Sequence, residues 1–180
     1  MDASLFHGLK GEHIYFKALD TKDVQEIHSY VSDKEVSRFI GWRLMHTVDE
    51  TYGHIEELLK REAAGTHLYA SVVLKSTETV IGTAMIFNFY EGAKHAEVGY
   101  VFHKDCWGKG YGTETIALMN HFAFEVLGLH KLHARVIGAN IGSSRVLEKN
   151  GFKLEGRLKD YHLIEDVYDD DLIFGKVQPI

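Results

Sequence analysis

The chain has one cysteine and one proline in 180 residues. Cys106 has no partner for an internal disulfide, which excludes a disulfide-stapled fold and fits a reducing compartment. A single proline excludes a proline-rich linker, and no repeat or low-complexity tract interrupts the chain. No apolar run approaches the roughly 20 residues needed to cross a bilayer. The opening Met1-Asp2-Ala3-Ser4-Leu5 lacks the basic stretch and long apolar core of a secretory signal. Basic residues are the minority, 20 Lys and Arg against 26 Asp and Glu, for a net charge of −6. That sign disfavours nucleic acid as the main partner and favours a cationic or amine substrate. The expected setting is the cytoplasm, away from membranes.

What is present describes an ordinary globular protein, with 45% hydrophobic and 26% charged residues. The length predicts one domain over 1–180 with a substantial core. Hydrophobic spacing predicts strands over 13–19, 68–74, 80–90, 95–103, 131–139, 152–162 and 167–177. Helices are predicted over 22–32, 47–64, 112–127 and 143–149, with a short helix or turn near 35–42. Thr47-Val48-Asp49-Glu50 has the form of a capping box. Residues 1–11 read as a poorly fixed start. The order is β-α-α-β-β-β-α-β-α-β-β.

The chain centres on Trp107-Gly108-Lys109-Gly110-Tyr111-Gly112-Thr113, between a strand and the most apolar helix. Glycines at such a turn let a ligand approach the backbone. The first helical amides have no intrahelical partner and sit at the positive end of the dipole. This combination cradles phosphate. A P-loop would need Lys where Thr113 stands, and the dinucleotide fingerprint needs different glycine spacing near the start of a βαβ unit.

The run resembles the R/Q-x-x-G-x-G/A pyrophosphate loop of the GNAT superfamily of N-acetyltransferases. Trp107 stands where the general motif has Arg or Gln, as in the branch of ribosomal-protein N-terminal and polyamine acetyltransferases. Two further stretches are similar to the same branch. They are Ala96-Glu97-Val98-Gly99-Tyr100 and Asn140-Ile141-Gly142-Ser143 running on to Glu148-Lys149-Asn150-Gly151-Phe152. The resemblance implies an α/β (α+β) GNAT fold: a mostly antiparallel mixed sheet of about seven strands with about four flanking helices. It implies acetyl-CoA as cosubstrate and direct transfer to a primary amine, with a protein N-terminal α-amine as the leading acceptor. A polyamine or other small amine is the runner-up, and a CoA-binding module without catalysis is the alternative outside enzymes. Dimers are frequent among related proteins, so a homodimer is an expectation.

The resemblance also assigns site residues. Tyr100, Val101 and Phe102 follow the point where the strand parts from its neighbour, and their amides would face the thioester carbonyl. Trp107, Gly108, Lys109, Gly110, Tyr111, Gly112 and Thr113 would hold the pyrophosphate. Asn140, Ser143 and Arg145 would meet the pantetheine arm and the sulfur. Gly99 marks a bulge or a relief of packing.

Catalysis needs a neutral amine, donors for the oxyanion and a proton for the leaving thiolate. Glu97 is the candidate base through a short water relay, or a group that only positions the cation. Ser143 is the candidate acid and also a natural N-cap. Tyr161 and Tyr100 are further acid candidates. The twelve histidines suggest metal, but His130/His133 and His103/Cys106 lack completing ligands at zinc spacing, so no metal is expected. The acidic run at 165–171 stands where relatives commonly have an Asn-Gly turn, and its part in substrate binding is left open.

Overall fold

The computed structural model describes residues 3–40 and 42–178. Helix α1 (Ala3–His7) precedes strand β1 (Ile14–Lys17). Three helices follow, α2 (Val24–Val31), α3 (Lys34–Ser37) and α4 (Val48–Ala63). A meander of β2 (Leu68–Leu74), β3 (Thr79–Tyr90) and β4 (His95–Phe102) leads to α5 (Tyr111–His121). Strand β5 (Lys131–Ile137), helix α6 (Ile141–Lys149) and the hairpin β6 (Lys153–Ile164) and β7 (Val167–Val177) complete the order. The seven strands form one sheet, β1-β2-β3-β4-β5-β7-β6. Every pair is antiparallel except β4 with β5.

Local chemistry accounts for the boundaries. Thr47 accepts from the Glu50 amide at 3.2 Å while Glu50 accepts from the Thr47 amide at 3.3 Å, the reciprocal cap that starts α4. Helix α5 buries Ile116 and Met119, then widens into a π turn over Phe122–Val126. The Leu127 amide reaches the Phe122 carbonyl there at 3.0 Å. Two apolar clusters cover opposite faces of the sheet. One gathers Phe6, Ile116, Met119, Phe122 and Leu147 against Ala96, Val98 and Phe102. The other gathers Ile27, Tyr30, Ile55 and Leu58 against Tyr69, Val73 and Val101.

One expectation is corrected and one open alternative is decided. The start is held in place from residue 3 onward, not loosely attached. Phe6 is fully buried, with its ring 5.3 Å from Phe16 and 5.2 Å from Phe122. Burying one such side chain contributes about 1.5–3 kcal/mol towards docking the helix. Gly99 is not bulged, because the β3–β4 register runs unbroken from Gly82↔Phe102 to Phe87↔Glu97. A Cβ at Gly99 would press on Met85 and Phe87 at 3.3–3.4 Å, so the glycine relieves packing. The irregularity lies in β3, between Phe87 and Tyr90, where Asn88 takes a φ of 50°. A bulge re-aims side chains, and this one brings Asn88 to Glu97.

Candidate active site

The parallel strands β4 and β5 pair at only three positions, His95↔Lys131, Ala96↔Leu132 and Glu97↔His133. Beyond them β4 continues to Phe102 along β3, and β5 continues to Ile137 along β7. The sheet therefore opens into a gap after Glu97. The His103 amide donates to Ile81 of β3, which fixes the alternation along β4. By that alternation the backbone groups of Val98, Tyr100 and Phe102 point into the gap, and those of Gly99 and Val101 point to β3. The Phe102 carbonyl accepts from Trp107 Nε1 at 3.1 Å, consistent with this alternation. Val101 is thus turned away from the gap: its amide belongs to the β3 ladder and its side chain to the cluster under α2 and α4. Of the three predicted strand positions, Tyr100 and Phe102 line the opening.

The glycine loop stands at the mouth of the gap. Gly108 and Gly110 have φ of 72° and 89°, values glycine adopts without strain. A Cβ at either would meet nothing within 4 Å, so the space before the loop is open. Gly110 is the N-cap of α5, and no side chain caps that helix. The first-turn amides of Tyr111, Gly112 and Thr113 are left as donors at the positive end of the dipole. Trp107 anchors the loop to the end of β4, a structural task for the residue that departs from the general motif. Lys109 is exposed and makes no ion pair among the described residues. Glu114, also in the first turn, is committed elsewhere: it accepts from the His13 and Ile14 amides at 2.9 and 3.3 Å. Gly112 packs close to Val146, Tyr100 and Phe102, so the loop, α6 and β4 converge.

Helix α6 starts earlier than the sequence suggests, which moves the cap. Asn140 is the N-cap, and its Oδ1 accepts from the Ser143 amide at 3.1 Å. Ser143 lies inside the first turn and has no capping role. Its Oγ instead accepts from the Tyr100 hydroxyl at 3.0 Å, leaving the serine proton free to be donated. Burial pushes the Tyr100 phenol up to about 12, so it stays protonated at neutral pH. Arg145 is exposed on the same helix. Asn150 ties α6 to α5, donating to the carbonyls of Val146 and Thr113 at 2.9 and 3.1 Å.

Glu97 lies on the opposite face, beside α2 and α4. Its side chain is 12% exposed. Asn88 Nδ2 donates to its Oε2 at 2.9 Å, and His133 Nε2 stands 3.5 Å from the same oxygen. Its Oε1 has no partner among the described residues. Tyr161 sits apart from the serine and Tyr100. It is exposed on β6, with the Arg135 guanidinium 4.9 Å from its ring centre. Arg135 and His162 both bind the buried Asp171. Asn88 and His133 were not foreseen as neighbours of Glu97. Strand parity could have placed His133, but only the bulge brings Asn88 there. Among the described residues no group of three or more His, Cys, Asp or Glu could hold a metal ion.

A sheet parted beside an uncapped, glycine-fronted helix defines a class of protein that can take a phosphate-bearing ligand at the opening. Comparison with known proteins makes the class specific. Residues 13–153 match the family described as "Acetyltransferase (GNAT) domain". The chain is 32% identical over 176 residues to "Probable N-acetyltransferase YjcK" of Bacillus subtilis, covering 95% of this chain and 97% of that protein. It is 27% identical over 128 residues to the [ribosomal protein uS5]-alanine N-acetyltransferase of Escherichia coli, covering 71% of this chain and 64% of that one. The spermidine N-acetyltransferase of Vibrio cholerae, solved with CoA and spermine, shares the fold with a TM-score of 0.81 at 22% identity, covering 93% of this chain and 97% of that one. The chain belongs to the GNAT acetyltransferase family and is an acetyltransferase.

Proposed function

We propose that the protein transfers an acetyl group from acetyl-CoA directly to a primary amine, and that the acceptor is the α-amine of a protein N-terminus. The fit to acetyl-CoA is supported by the open space before Gly108 and Gly110 and by the uncapped amides of α5. In this reading those amides and Lys109 hold the pyrophosphate, helped by the Arg145 charge. The side-chain amide of Asn140, whose Oδ1 already caps α6, offers its Nδ2 to the pantetheine arm. Acetyl-CoA supplies the activated thioester when bound.

The residues divide the remaining work across the gap. One of the two gap-facing amides, that of Tyr100 or of Phe102, aims at the developing oxyanion, where a fixed donor is worth most. Tyr100 orients Ser143, so that the free serine proton can meet the leaving thiolate. Glu97, on the other face, receives the amine's proton at Oε1 directly or through one water.

The observation that carries the choice of acceptor is the state of Glu97 and of the three consecutive aspartates of β7. A polyamine brings several cations and calls for several uncommitted carboxylates. Here Asp171 is bound by Arg135 and His162, and Asp170 by Arg157. Asp169 accepts from the Ala139 and Asp170 amides. Among these four, Glu97 alone keeps an oxygen without a partner, Oε1, which suits a single ammonium. The polyamine reading keeps the support of the net charge of −6 and of the exposed Glu165 and Asp166 at the hairpin tip. Thiol release from acetyl-CoA with Ala- and Ser-initiated hexapeptides, and with spermidine, separates the two. The α-amine reading expects kcat/KM for a peptide to exceed that for spermidine by about tenfold or more, a difference of ~1.4 kcal/mol in transition-state binding. A preference for spermidine would overturn it.

A further inference from the structure

Glu97 is well placed to take a proton but poorly placed to lose one. Its side chain is buried, and Asn88 can donate to its Oε2 but cannot carry a proton away. Each turnover must nevertheless return the carboxyl group to its ionised state. The group beside it that reaches towards solvent is His133, 22% exposed, with Nε2 at 3.5 Å from Glu97 Oε2. The two residues are register partners across the last paired position before the sheet opens. The His133 ring also lies 5.4 Å from that of His95, edge to face, which limits its rotation.

We propose that His133 is the positioning and relay residue for Glu97. Asn88 holds Oε2 while Oε1 faces the acceptor, and His133, beside Oε2, fixes the carboxyl group by packing and drains the proton that Glu97 collects. The proposal rests on the reading of Glu97 as base. An N–H bond of the ammonium breaks as a carboxyl O–H forms. The carboxyl group turns to present that O–H to His133 Nε2, which is unprotonated in the Nδ1–H tautomer; the O–H breaks as an Nε2–H forms, and the imidazolium releases its Nε2 proton to water, restoring both groups. The 3.5 Å separation closes by a small shift or through one water.

The charges around His133 favour this use. Its neighbours on the same face of β5 are both neutralised, Lys131 by Glu155 at 2.6 Å and Arg135 by Asp171 at 2.6 Å. Across β7 its partner is Gly175, and the carboxylate that lies over that glycine is Glu155, the one already paired with Lys131. On β4 it faces Glu97 and His95, so Glu97 is the one carboxylate within ion-pair distance of it among the described residues.

The test compares His133→Gln, His133→Ala and Glu97→Gln, using whichever of an Ala-initiated hexapeptide and spermidine turns over faster with the unaltered enzyme. For His133→Gln we expect kcat to fall about 10- to 100-fold, within the range for proton-transfer groups, with KM for acetyl-CoA little changed. The acidic limb of its pH–rate profile moves. Added imidazole restores part of kcat in His133→Ala and none in Glu97→Gln. Wild-type kcat and profile in His133→Gln, with Glu97→Gln impaired, would overturn the relay alone. Wild-type kcat in Glu97→Gln would overturn the base reading and the relay together. A lowered kcat in folded His133 variants with an unmoved profile and no imidazole response would show a merely structural role and overturn the proposal. Should His133→Ala fail to fold, the pH profile of His133→Gln decides.

Discussion

Ser143 and Asn140 show how one residue's position changes what its loss should do. Because Asn140 is the cap, Asn140→Ala should cost about 1 kcal/mol of stability, the usual worth of a capping side chain. Ser143→Ala leaves the buried Tyr100 hydroxyl without its acceptor, so it should also cost about 1 kcal/mol or more, but unlike a lost cap it should lower kcat about ten- to a thousandfold if the serine donates the proton. Thermal melts beside steady-state kinetics separate these effects, and a Ser143→Ala variant with full kcat would leave the hydroxyl without a catalytic part. His54 carries a prediction about pH. Its Nε2 is buried without a partner among the described residues, and its ring stands 4.6 Å from Trp42. Burial, reinforced by Arg61, holds its pKa below the ordinary 6.5. The unfolded chain therefore binds a proton that the folded chain resists, and stability falls as pH drops below about 6.5. Replacing it in His54→Leu should reduce the loss of melting temperature between pH 7 and pH 5. An unchanged slope would remove His54 as the cause.

At the scale of elements, two turns make opposite demands. The β6–β7 hairpin turns on Glu165 and Asp166, whose φ of 49° and 64° are those of a two-residue turn that favours Asn-Gly. Glu165→Asn with Asp166→Gly should stabilise by about 1 kcal/mol and raise the melting temperature by ~2–4 °C in a chain of this length. No gain by calorimetry would mean that the acidic pair makes compensating contacts. The glycine turn before α5 keeps its helix uncapped, and Gly110→Asp would put a carboxylate where a phosphate is proposed to sit. CoA affinity should then fall by about ten- to thirtyfold, the worth of ~1.4–2 kcal/mol at a helix N-terminus. Titration calorimetry showing full affinity in a folded variant would move the pyrophosphate site elsewhere. The strands and long helices were legible because their periodicity is local: β2 was read over 68–74 and found as Leu68–Leu74. Helix α1 was not, since its five residues carry no period and Phe6 is fixed by Phe16 and Phe122, distant in sequence. The glycine loop was readable from its own spacing. The partners of Glu97 were not, because a bulge at Asn88 and a strand crossover to His133 assemble them.

On the scale of the whole molecule, the sheet does the organising. One parallel pair among antiparallel neighbours opens the gap between β4 and β5. The two faces then divide the chemistry, with Tyr100 and Ser143 on the side of α5 and α6 and Glu97 and His133 on the side of α2 and α4. The carrier is proposed to enter at the glycine loop and the acceptor from the face of Glu97, so the amine meets the thioester inside the sheet. The most direct measurement of this account uses one peptide with a free N-terminal alanine and one internal lysine, incubated with the enzyme and acetyl-CoA and sequenced by tandem mass spectrometry. The account predicts a single acetyl group on the α-nitrogen. Acetyl on the lysine side chain, or an unmodified peptide under conditions where spermidine is acetylated, would contradict it.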